Sequence, residues 1–388
     1  MSYVKKLKLH EFNIWQKNNP FFSQIDIELT ERCNNNCIHC FINKLENDSD
    51  AVSKEMSTDF IKGILTEAAN LGCLKVRFTG GEPLLRFDFP DLYIFARRLG
   101  LQVILFTNAR LITENLAQML AEYPPGHPVE VSVYGMSSES YDRVSQCEGS
   151  FLEFKRGVDL MLKHKVPFIV KSPKLHFLKN EQEAFESWAK TIPSMDSSPG
   201  YSMNFDLRSR RDDPKKNARI KKLRATPEET VEALSSHPLY ISSMREFCSR
   251  FIGPPGVKLF QCGAGEETCV DAYGQAQLCL PLRSSETVVN LYEYSLKKAL
   301  AESFPSLRGI VATNKEYVRR CARCFLMCLC EQCPAKSWME HGTLDTPVEY
   351  FCEVAHAQAR FLGLIATDEK AWEVVNWKQR VELFVNDQ

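Results

Sequence analysis

The stretch ERCNNNCIHC, residues 31–40, sets three cysteines within ten residues, Cys33, Cys37 and Cys40, in the spacing C-x3-C-x2-C. Thiolates this close together suit a metal. Structural zinc takes four ligands in a tetrahedron, and no further cysteine or histidine follows closely downstream. His39 stands between Cys37 and Cys40, an awkward place from which to share an ion with both. A cubane [4Fe-4S] cluster held by three cysteines keeps one iron free of protein, and an open iron is a place to bind a reactant. A second cysteine group comprises Cys262, Cys269, Cys279, Cys321, Cys324, Cys330, Cys333 and Cys352. Taken alone, its C-x2-C pairs fit a pair of structural zinc sites as well as iron and sulfur. The other four of the 15 cysteines, Cys73, Cys147, Cys248 and Cys328, read as small apolar core residues.

Composition narrows the setting. The 388 residues are 44% hydrophobic and 25% charged with a net charge of −1, and no apolar run approaches the roughly 20 residues of a membrane span. The chain reads as globular with two or more domains. MSYVKKLKLHEF at the N-terminus has no apolar stretch or cleavage site of a secretory signal, so a cytoplasmic location with reduced cysteines is expected. A charge near zero gives no overall pull toward nucleic acid or membrane.

The cysteine trio needs a scaffold, and the surrounding pattern supplies one. SQIDIELT (residues 23–30) alternates like a strand, TDFIKGILTEAANLG (58–72) has helical spacing with a Thr58 cap and a Gly72 stop, and LKVRFTGGEP returns to strand. Strands then follow at QVILFTN, PVEVSVYG, PFIVKSP and SMNFDL, with helices between them near 91–99, 113–122, 151–164 and after Glu181. Strands alternating with helices imply a parallel sheet, and six units in about 190 residues fit an α/β partial (β/α)6 barrel better than a full eight-unit one. A doubly wound sheet has the same local pattern. In either, the working groups sit at the C-terminal ends of the strands. The trio follows the first strand, Thr79–Pro83 the second, Thr107–Ala109 the third, and Tyr134-Gly135 and Ser172-Pro173 the fourth and fifth. One rim carries every unusual loop.

With trio, strand placement and GGEP in agreement, residues 23–353 resemble the radical S-adenosylmethionine (radical SAM) superfamily. The resemblance implies that Cys33, Cys37 and Cys40 hold a [4Fe-4S] cluster whose open iron chelates S-adenosylmethionine and cleaves it to a 5′-deoxyadenosyl radical. It further implies that Gly80, Gly81, Glu82 and Pro83 hold the methionine amino group, and that Asn108 and Ser132 contact ribose and carboxylate. His39 replaces the usual aromatic residue against adenine. The second cysteine group is similar to the SPASM extension, which carries two auxiliary clusters. By that likeness Cys262, Cys269, Cys279 and Cys333 would hold one, and Cys321, Cys324, Cys330 and Cys352 the other. Two residues separate Cys330 from Cys333 where the extension has three, so a pairing through Cys328 stays open.

The expected organisation is an N-terminal extension (1–22) too short for a leader-peptide-binding domain, the barrel (23–207), a basic linker with bridging helices (208–254), the SPASM domain (255–353) and a helical tail (354–388) whose Trp372 and Trp377 pack on the barrel. Arg208–Arg224 holds nine basic and two acidic residues and reads as a solvated linker or as a docking surface for an acidic peptide. VDAYGQAQLCLPL is a hairpin. The resemblance implies an enzyme that takes hydrogen from a residue of a precursor peptide or protein and draws electrons from an external flavodoxin- or ferredoxin-like donor. Crosslinking, thioether formation, epimerisation and oxidation all remain open, with Cys147, Cys248 or Cys328 as hydrogen-atom donor in an epimerase. Sulfatase-maturase-like modification, small-molecule chemistry, and a non-catalytic iron-sulfur or zinc protein are the alternatives.

Overall fold

Strand β1, Gln24–Thr30, is buried on both faces. Ile25, Ile27 and Leu29 pack outward with Ile61, Ile64, Leu65 and Ala68 of the helix Thr58–Asn70, while Gln24, Asp26, Glu28 and Thr30 alternate on the other side. The strands that follow are β2 (Lys75–Gly80), β3 (Gln102–Thr107), β4 (Val129–Ser132), β5 (Phe168–Pro173) and β6 (Gly200–Ser202). Each pairs in parallel with its predecessor. A doubly wound sheet would reverse its strand order in the middle, and this one never does, which selects the partial barrel. The Lys171 ammonium of β5 lies 3.7 Å from the ring centre of Phe106 on β3, a reach across two strands that needs a concave inner face. This computed structural model describes residues 23–262, 264–265 and 267–387; the N-terminal extension lies outside them.

The C-terminal cysteine region does not stand apart as a separate sheet. Strand β7, Glu267–Val270, pairs in parallel with the free edge of β1, and β8 (Gln275–Gln277) and β9 (Val288–Asn290) continue antiparallel, giving one nine-stranded sheet ordered β9-β8-β7-β1-β2-β3-β4-β5-β6. The expected hairpin is β7–β8, turning at Gly274 with φ +79°.

Other expectations shift. Ser57, not Thr58, caps the first barrel helix, its side chain accepting from the Phe60 amide. The last strand lies at Gly200–Ser202, ahead of the expected SMNFDL. Phe205 and Leu207 alternate because both are buried with Leu175, Leu178, Ile220 and Met339, not because their backbone pairs. The basic segment is no solvated linker: Arg208 and Lys216 are buried, and Arg224 pairs with Glu340 at 2.6 Å. Trp377 stacks on Phe325 and Trp372 meets His356, so the tail packs on the cysteine region rather than on the barrel.

A buried ion network joins the two halves. Arg283, 1% exposed in its side chain, bonds Glu28 and Glu31 near the end of β1 and lies 3.8 Å from Asp271. Arg210 bonds Glu31 at 2.6 Å and Asp271 at 2.8 Å, and the Tyr273 hydroxyl donates to Glu31. Removing the central cation strands buried carboxylates, so Arg283→Met is expected to destabilise the fold by about 3–5 kcal/mol in chemical denaturation. A change below about 1 kcal/mol would show that the network is dispensable.

Candidate active site

The trio loop is pinned from three sides. Asn36 and Ile38 donate their amides to Ser145 and Val144 at the end of the helix Ser138–Ser145, an element the sequence reading missed. Residues Arg32–Cys33 form a short parallel ladder with Lys44–Leu45. The Arg110 guanidinium grips Asn34 O and Asn35 Oδ1 from behind and is anchored by Glu153. Burial pushes the Cys33 thiol well above its ordinary range, with Cys37, Glu82 and Cys40 adding to it, and burial with Cys40 pushes Cys37 up to about 12. Three thiols on one short loop, Cys37 buried and Cys33 and Cys40 half-buried, fit a cationic metal group, which would hold them as thiolates.

Gly80 and Gly81 run against the backbone that enters the loop. A Cβ on Gly81 would lie 2.1 Å from Arg32 O, and one on Gly80 2.1 Å from Thr30 O, so it is the chain's own backbone that demands glycine here. Gly81 N donates to Thr30 O and Glu82 N to Arg32 O. Pro83 opens a short helical turn, Pro83–Leu85. The buried Glu82 carboxylate accepts from Thr107 Oγ1 at 2.8 Å, Asn108 N at 2.8 Å and Leu84 N at 3.1 Å. Asn108 Nδ2 in turn donates to Asn34 Oδ1 at 2.8 Å and lies 3.9 Å from Cys33 Sγ. GGEP, the end of β3 and the trio are thus one hydrogen-bonded constellation. Ser132 ends β4, half-buried and in register with Lys171.

His39 packs between Tyr134 and Phe205, with ring centres 5.9 and 5.1 Å away. Burial pulls its pKa down to about 4, so the ring is neutral, and its Nδ1 is buried with no hydrogen-bond partner among the described residues. A neutral aromatic ring with an unpaired ring nitrogen suits a nucleobase. Beyond it, a cavity of about 520 Å³ opens on the same rim. Val133, Gly135, Ser172, Pro173 and Tyr201 at the ends of β4–β6 face Ala233 of the helix Pro227–Ser235 across it.

The second cysteine group divides in two. Cys321, Cys324, Cys330 and Cys352 line one small void, and burial with mutual repulsion pushes Cys321 and Cys324 up to about 12. Burial and then the charges of Cys333 and Cys262 push Cys279 up to about 12, which puts these three together. Cys269 is elsewhere. It sits in β7 in register with Asp26, so its side chain shares the inner face, where Glu28, Asp26 and Arg283 act on it and Gln277 donates to its Sγ at 3.6 Å. Among the described residues no three His, Cys, Asp or Glu side chains are arranged to hold a single ion. A cubane asks for less convergence, since each thiolate binds a different iron.

Of the thiols considered as hydrogen donors, Cys248 and Cys328 bond each other inside the C-terminal core, and Cys147 lies against Arg110 behind the trio loop. Cys73 is core filler, donating to Lys75 O. Sequence reasoning missed Arg110, Arg283 and Glu181, whose carboxylate fastens the segment after β5 to Met136 N, Ser137 Oγ and Ser140 Oγ. A single chain offers no signal that marks one arginine or glutamate as buried.

Two outcomes follow from this geometry. After iron-sulfur reconstitution, Cys269→Ser is expected to keep its full iron while Cys279→Ser loses about one cluster's worth; equal iron loss in both would return Cys269 to the ligand set. Burial pushes Glu82 up to about 7 from an ordinary 4.5, so the folded protein holds a proton that the unfolded chain releases between those values. The cost of folding with Glu82 charged is absent below pH 4.5 and complete above pH 7. The stability of cluster-free Glu82→Gln relative to wild type is therefore expected to rise by up to about 3 kcal/mol between pH 4.5 and 7.5; a pH-independent difference would contradict the assignment.

Comparison with known proteins agrees with this geometry. Residues 27–184 match the family model described as the radical SAM superfamily. The chain is 30% identical over 154 residues to an Fe-coproporphyrin III synthase of Methanosarcina barkeri, covering 40% of this chain and 37% of that one. It is 38% identical over 119 residues to a PqqA peptide cyclase of Bradyrhizobium diazoefficiens, covering 31% and 30%. The matches thus span under two fifths of these curated relatives. Among solved structures, anSMEcpe with bound AdoMet superposes with a TM-score of 0.59 over 94% of this chain and all of that one at 16% identity. SuiB of Streptococcus suis bound to S-adenosylmethionine gives 0.57 over 83% of this chain and 75% of that one at 17% identity. No helix among the described residues is long and apolar enough to cross a membrane. Residues 27–184 of the chain are thus similar to the radical SAM superfamily.

Proposed function

We propose that this protein is a radical SAM maturase that removes a hydrogen atom from an unreactive carbon of a residue in a peptide or protein substrate. The carrying observation is the constellation in which Asn108 bonds both Glu82 and the loop that carries Cys33, Cys37 and Cys40, which joins the three thiols to a polar cradle at the ends of β2 and β3. When bound, the cluster at Cys33, Cys37 and Cys40 supplies the electron that cleaves S-adenosylmethionine to the deoxyadenosyl radical.

The chain's own residues do the positioning. Backbone around Gly80–Glu82 and the Glu82 carboxylate hold the amino-acid end of S-adenosylmethionine, His39 with Tyr134 and Phe205 receives the adenine, and Asn108 and Ser132 take ribose and carboxylate. The cavity at the ends of β4–β6 receives the substrate residue, its largely apolar wall keeping water from the radical. Two auxiliary clusters, at Cys321, Cys324, Cys330 and Cys352 and at Cys262, Cys279 and Cys333, carry electrons between substrate and an external flavodoxin- or ferredoxin-like donor.

Peptide is favoured as substrate by the cysteine region. The barrel alone resembles both haem-pathway synthases and peptide cyclases, but the structures that match across nearly the whole chain include anSMEcpe with a bound Cp18Cys peptide and SuiB with its precursor peptide SuiA. Cys33→Ala, Cys37→Ala or Cys40→Ala is expected to abolish 5′-deoxyadenosine formation with dithionite as reductant while the auxiliary iron remains. Persistence of that product in a variant still loaded at the other sites would overturn the assignment.

A further inference from the structure

We propose that Lys216 is a positioning residue for the catalytic cluster, a fixed positive charge whose removal makes the cluster harder to reduce. The inference rests on the reading of Cys33, Cys37 and Cys40 as the ligands of a [4Fe-4S] cluster.

Lys216 belongs to the helix Pro214–Leu223, in the segment whose composition read as linker, yet its residue is only 4% exposed. The Asp213 side chain caps that helix by accepting the Lys216 amide at 2.8 Å. Its ammonium donates to Asn43 Oδ1 at 2.7 Å and Asn36 Oδ1 at 3.1 Å. Asn36 lies between Cys33 and Cys37, and Asn43 follows Cys40 by three residues. Asn43 Nδ2 donates back to Asn36 Oδ1 and Asn35 O, so an amide bridge closes the trio loop and Lys216 sits on the bridge.

The charge balance gives this position meaning. Arg208, beside it, is neutralised by Asp212, and Asp212 also takes Lys44. Among the described residues no carboxylate pairs with Lys216; the groups that favour its charge are Cys40 and Cys37, while Arg208 and Arg219 oppose it. An ammonium removed from water without a counterion is costly. Thiolates and the cluster they carry supply that counterion. Reduction by dithionite or a flavodoxin-like donor adds one electron to the cluster and makes it more negative, and a nearby positive charge in a poorly solvated site favours the reduced form.

The test uses the full chain, reconstituted anaerobically, as wild type, Lys216→Gln and Lys216→Arg. The quantity read is the midpoint potential of the electron paramagnetic resonance component that changes on adding S-adenosylmethionine, together with iron content. Lys216→Gln is expected to keep its iron and show a more negative midpoint, with Lys216→Arg close to wild type. A wild-type midpoint in iron-loaded Lys216→Gln, or an equal shift in both variants, overturns the proposal. If Lys216→Gln fails to load, Lys216→Met, which keeps the length of the side chain without its charge, is read instead; a more negative midpoint supports the proposal and an unchanged one overturns it. Absence of any S-adenosylmethionine-sensitive signal in wild type would refute the cluster reading itself and not the role of Lys216 alone.

Discussion

The molecule turns on the burial of Arg283 between Glu28 and Glu31. Those carboxylates lie on and just after β1, shortly before Cys33, while Arg283 follows Cys279 by four residues. A buried cation that must stay paired locks the trio loop and the C-terminal cysteines into one frame, and the parallel pairing of β7 with β1 runs the same joint through the backbone. On the proposed reading electrons pass between the two cysteine sets, and this joint ties the segments that carry them to each other.

Around that joint the site is assembled by backbone economy. The loop after β1 and the turn after β2 touch so closely that only glycine fits at 80 and 81, and the hydrogen bonds of Glu82 carry the contact on to β3. Reactive groups at the C-terminal rim of a barrel are a general consequence of strands pointing one way. What is particular here is the number of supports behind a ten-residue loop: Arg110 and the helix 138–145 on one side, Asn43 and Lys216 on another. A loop that must hold three thiolates in fixed relation needs such walls.

Much of this was legible in the sequence because it is written locally. The alternation of SQIDIELT and the turn at Gly274 in VDAYGQAQLCLPL each report on neighbouring residues, and each falls where it was expected. Long-range features were not legible. Cys269 lies in register with Asp26 and accepts from Gln277, neighbours that spacing alone does not report. Arg208–Arg224 looks solvated by composition, but Glu340, Asn36 and Asn43 come from up to 180 residues away to receive its charges. Phe205 and Leu207 alternate like a strand because of what covers them, a distinction that periodicity alone does not make.

The most direct test of the account is anaerobic reconstitution with iron and sulfide, followed by metal analysis and a dithionite-driven assay for 5′-deoxyadenosine from S-adenosylmethionine. Three cluster sites predict about twelve irons per chain together with deoxyadenosine. Zinc in place of iron, with no cleavage of S-adenosylmethionine, would make the trio a structural site and contradict the account.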